Sequence, residues 1–111
     1  MKQDHSRHQT DLPLKMQILN ISVNMARMGE LVLKFGNGKS ELIKKFLDQT
    51  QSYLDDLNPQ AMSEHFRPTL TKFNSEFNKL KDERVSDANK DLWAEKAITW
   101  ADILQIRSKL V

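Results

Sequence analysis

The stretch Leu12–Phe35, LPLKMQILNISVNMARMGELVLKF, decides the fold of this chain. Leu14, Ile18, Ile21, Met25, Met28, Val32 and Phe35 follow one another at alternating steps of four and three. An unbroken apolar series at that spacing marks one buried helix face. A second series, Leu12, Met16, Leu19, Val23, Ala26, Glu30 and Leu33, repeats the spacing and is interrupted only by Glu30. At about 100° of rotation per residue the two series point in nearly opposite directions. Gln17, Asn20, Asn24 and Arg27 form a polar strip between them, with Lys15, Ser22 and Gly29 on the other side. A helix with two apolar faces needs cover on both. It is either the centre of its own bundle or one half of a helix-mediated oligomer.

Upstream, residues 1–11 hold almost no apolar side chain after Met1, and the composition predicts a flexible tail. Thr10 or Asp11 is the expected cap of helix one, with Pro13 in its first turn. Downstream, Gly36-Asn37-Gly38 is the expected stop, because glycine and asparagine accept the left-handed conformation at a helix end. Helix two is predicted from Glu41 to Leu57, with Ser40 as cap and Leu42, Ile43, Phe46, Leu47, Tyr53, Leu54 and Leu57 on one face. The short connection sets it antiparallel to helix one.

Asn58-Pro59 signals a new helix start, and the series Met62, Phe66, Leu70, Phe73, Phe77, Leu80 carries it to about Arg84. Pro68 interrupts that series, which predicts a third helix broken or kinked there. Ser86 or Asp87 is the expected cap of the last helix, striped by Trp93, Ala97, Trp100 and Leu104. Alanines at 94, 97 and 101 leave room for a close neighbour. No alternating β pattern or internal repeat occurs, so the expectation is an all-α, four-helix up-and-down bundle over 12–111.

Composition narrows the function classes. The chain has 111 residues, 39% hydrophobic and 29% charged, which suits one folded domain. It has no cysteine, which removes disulfides, thiol chemistry and cysteine-ligated metal, and fits a reducing compartment such as the cytoplasm. The polar start is unlike a secretory signal, and Lys15, Arg27 and Glu30 make helix one unfit to span a membrane. Formal charge is +2 and each half of the chain carries +1, so no single-sign block stands out. Lys72, Lys79, Lys81 and Arg84 on helix three are the basis of a second reading, a nucleic-acid-binding helical module.

Motifs for chemistry are sparse. Gly38-Lys39-Ser40 lacks the earlier glycine of a phosphate-binding loop, since position 33 is leucine, and follows a helix rather than a strand. His5 and His8, near Asp4, sit in the tail without the surrounding shell that fixes metal ligands. No metal or cofactor is therefore expected, and no catalytic residue is assigned. Ser63-Glu64-His65-Phe66-Arg67-Pro68-Thr69-Leu70 resembles the phosphoacceptor box of sensor histidine kinases, in which a histidine precedes an acidic, an apolar, a basic and a small residue and then proline. Here Glu64 precedes His65 and one residue before Pro68 is absent. The resemblance implies a third reading, a histidine phosphotransfer bundle using His65; Phe66 and Arg67 stand where such bundles carry glycine and small residues. The first reading is a non-catalytic interaction or regulatory bundle, homodimeric through the second face of helix one. Its interface candidates are Met16, Leu19, Val23 and Ala26.

Overall fold

A computed structural model describes residues 9–111 of the chain, and every regular element in that span is helical. The four α-helices are α1 (Leu14–Phe35), α2 (Ser40–Asp56), α3 (Arg67–Asp82) and α4 (Lys90–Arg107). Short 3₁₀ turns occupy Gln9–Asp11, Pro59–Ala61 and Ser108–Leu110. The expected flexible tail lies outside the described residues over 1–8. From Gln9 onward the chain is held: Gln9 Nε2 donates to the Gln17 carbonyl at 3.1 Å, and Asn20 Nδ2 donates to Gln9 Oε1 at 3.1 Å.

The helix ends follow local backbone chemistry, with some shifts from expectation. Gly36 takes φ 57°, and its N–H closes on the Val32 carbonyl at 2.8 Å, which ends α1 where a side chain would be strained. Neither Thr10 nor Asp11 caps α1. Its start has no side-chain cap, because Pro13 precedes the first helical residue and supplies the carbonyl for Gln17 N–H at 3.0 Å. Ser40 is the first residue of α2 rather than its cap. Ser86 and Asp87 lie a turn ahead of α4, in a loop where Asn89 Oδ1 accepts from the Ser86 N–H at 2.7 Å.

The region around Pro68 shows how proline sets a start. Pro68 occupies the first turn of α3, where its missing N–H has no intrahelical partner to lose. The preceding residues form no α-helix. Asn58 Oδ1 accepts from the Gln60 N–H at 3.1 Å to close the turn at Pro59–Ala61, and Arg67 Nε reaches back to the Pro59 carbonyl at 3.2 Å. Met62 and Phe66 nevertheless point inward and are buried, so the apolar phase is kept without the helix.

Contacts along the helices fix their directions. Ser22 and Gly29 of α1 meet Ala101 and Ala94 of α4, so the two run antiparallel. Asn24 meets Gln49 and Thr50 across a short turn, which sets α2 antiparallel to α1. Trp93 meets Leu80, Trp100 meets Phe73 and Arg107 meets Thr69, which sets α3 antiparallel to α4. The core between them is Ile18, Ile21, Met25, Met28 and Val32 from α1, with Phe66, Phe73 and Phe77, and Trp93 and Leu104 from α4. Burying each such side chain contributes roughly 1.5–3 kcal/mol.

Two residues of the polar strip are buried. Gln17 and Asn24 are 5% exposed, because α1 has a neighbour on its flank as well as its apolar face. Asn24 is matched: its Nδ2 donates to Gln49 Oε1 at 3.0 Å and to Thr50 Oγ1 at 3.3 Å. Gln17 Nε2 donates to the Leu12 carbonyl at 2.8 Å, whereas its buried Oε1 has no partner among the described residues.

The closest helix contact is α1 on α4. A Cβ at Gly29 would lie 2.5 Å from Ile98 Cγ1 and 3.0 Å from the Ala94 carbonyl oxygen, so the glycine sets the spacing. Alanine there gains helix propensity of about 1 kcal/mol but overpacks the contact by about 1–3 kcal/mol. We expect Gly29→Ala to lower stability in urea unfolding, and Ile98→Ala added to it to recover part of the loss. A stabilised Gly29→Ala protein would mean that the helices are not held apart by this position.

Candidate functional site

The outward face of α1 carries the interface candidates. Met16 is 44% exposed, Val23 46% and Leu33 50%, while Leu19 and Ala26 are half-buried between them. Since α4 covers the Ser22–Gly29 side and α2 the Asn24 side, Met16, Val23 and Leu33 of the second apolar series are left facing out, while Ala26 packs against the edge of the core. An apolar ridge one helix long, set between two grooves, is the feature that separates this surface from scattered exposed hydrophobes.

The two grooves differ in charge. On the α2 side a hollow of about 300 Å³ is lined by Arg27, Glu30, Lys34, Phe35, Leu42 and Phe46. Phe35 and Leu42 are 48% and 41% exposed, so the groove has an open apolar floor. On the α4 side a hollow of about 280 Å³ is lined by Leu33, Asp91, Glu95, Ile98 and Thr99. Asp102 extends that acidic line, because 91, 95, 98 and 102 repeat at helical spacing. The sequence reading missed both edges. The acidic line was visible as spacing, but only the α1–α4 pairing places it beside the ridge.

The other candidates are dispersed. His65 is exposed in the turn before α3 rather than on a helix, and its carbonyl accepts from Arg107 Nη2 at 3.5 Å. Its neighbour Arg67 is engaged with the Pro59 and Gln60 carbonyls. Lys79 pairs with Glu76 at 3.1 Å, and Lys81 donates to Gln51 at 2.9 Å across to α2. Lys79 and Lys81, two residues apart, point to different sides of α3 and do not build one basic face. His5 and His8 lie outside the described residues. Among the described residues no group of three or more His, Asp or Glu converges as a metal site, and no helix is long and apolar enough to cross a membrane.

A cavity of about 500 Å³ opens between the start of α2 and the end of α3, lined by Ser40, Ile43, Lys44, Lys81, Arg84 and Trp93, among others. Asp82 and Glu83 share its rim, which dilutes the cations. The Trp93 Nε1 donates to the Leu80 carbonyl at 3.1 Å, so that donor is already used. No family model matches the chain, and no curated protein or solved structure is significantly similar to it.

The exposure of the α1 ridge makes a stability prediction. In dilute solution Met16→Ala, Val23→Ala and Leu33→Ala should each change unfolding free energy by no more than about 0.5 kcal/mol. Met25→Ala, on the opposite face and fully buried, should lose about 2–5 kcal/mol. Comparable losses at both sets of positions in chemical unfolding would show the ridge to be covered.

Proposed function

We propose that this chain is a non-catalytic interaction module, an up-and-down four-helix bundle that self-associates through the outward face of α1. The observation that carries the reading is the exposure of Met16, Val23 and Leu33 on one ridge of a helix whose other sides are buried. A monomer that keeps this ridge in water forgoes the burial of its second apolar stripe; a partner helix laid along it recovers that burial. Leu19 and Ala26, recessed between the exposed residues, give the ridge the relief that helix-on-helix packing uses. The polar groups that hold α1 to α2 and α4 are spent inside the fold, which leaves this face to apolar contact. Regulation would then act by tying the state of this module to its concentration or to a competing helix.

Solution mass tests the proposal. Light scattering over a dilution series should give about 26 kDa, twice the 12.9 kDa chain, falling toward the single-chain mass at the lowest concentrations. Val23→Glu should stay helical with an unchanged melting temperature and give the single-chain mass throughout. A Val23→Glu protein that unfolds, or one that keeps the dimer mass, overturns the proposal.

A further inference from the structure

We infer that the occupant of the α1 face is a second copy of this chain with its α1 parallel to the first, around a two-fold axis running along the helix. The inference rests on the reading of that face as an interface, and its ground is charge and height together. The ridge runs between a basic edge, Arg27 and Lys34, on the α2 side and an acidic edge, Asp91 and Glu95, on α4. Both edges flank the C-terminal half of α1, since Leu33 lies in the acidic groove and Arg27 and Lys34 line the other.

A two-fold along α1 keeps every residue at its own height and exchanges one edge for the other. Arg27 and Lys34 of each copy then face Asp91 and Glu95 of its mate, twice over. A two-fold across α1 sets each edge against its own copy and brings the C-terminal half against the N-terminal half. That arrangement forms none of these pairs, so it lacks the charge complementarity that fixes register at an interface. Glu30 lines the α2-side groove together with Arg27 and Lys34, so with two cations and one carboxylate that edge keeps a net charge of +1.

The chain has no cysteine, so single thiols can report the arrangement directly. Met16→Cys and Leu33→Cys are substitutions at exposed positions, and each variant alone should give covalent dimers with a short bismaleimide. Arg27→Glu with Lys34→Glu should raise the dimer Kd about tenfold or more at low salt, as should Asp91→Lys with Glu95→Lys; mixing the two double variants should restore association. A wild-type dimer whose cysteine variants cross-link only when mixed, or whose Kd is unmoved by either charge reversal, overturns the parallel arrangement and leaves the interface in place. A wild-type protein that stays monomeric at every concentration removes both.

Discussion

The contact between α1 and α4 is the constraint on which the rest of the molecule depends. Gly29 lets α1 approach until its backbone is in reach of the Ala94 carbonyl and the Ile98 side chain. Two turns away, Ser22 Oγ donates to the Ala101 carbonyl at 2.7 Å, so the same seam is closed by a hydrogen bond. Ala94, Ala97 and Ala101 keep the facing surface of α4 shallow, and all three are buried. With α4 committed to this side, its tryptophans turn to α3: Trp93 bonds to the Leu80 carbonyl and Trp100 meets Phe73 edge-on at 5.5 Å between ring centroids. The remaining flank of α1 is taken by α2 through Asn24 and Thr50. What is left is the ridge of Met16, Val23 and Leu33.

The same arrangement explains why the ridge lies between unlike charges. The α4 residues that do not meet α1 or α3 include Asp91, Glu95 and Asp102, which fall beside the ridge once Ser22 and Gly29 are docked. Arg27 and Lys34 fall on the opposite side because the Asn24 flank faces α2. The surface thus carries an apolar spine with edges of opposite sign.

Much of the fold was legible because α1 carries its apolar residues at strict helical spacing. Leu14 to Val32 could be assigned to an inward face from the sequence, and the structure buries Ile18, Ile21, Met25, Met28 and Val32 there. The opposite orientation of Met16 and Val23 followed from the same geometry. Periodicity does not register polar residues that are buried in pairs: Asn24 reads as solvated until Gln49 and Thr50 supply its acceptors, and Gln17 until Gln9 and Leu12 lie over it. Helix starts were also misplaced by a few residues, at Thr10 and Ser86, because several polar residues in a row can each cap and the backbone turn decides among them. For the surface, composition alone could not say which acidic residues of α4 border α1, since that depends on a contact between distant parts of the chain.

That distance has a kinetic consequence. The hydrogen bond from Ser22 to Ala101 joins residues 79 apart in sequence, whereas α1–α2 and α3–α4 are each linked by a short turn. Closing that seam costs more loop-closure entropy than closing either local pair. An α1 not docked on α4 through Ser22 and Gly29 displays both of its apolar faces at once, and such exposed apolar surface favours mispairing with another copy.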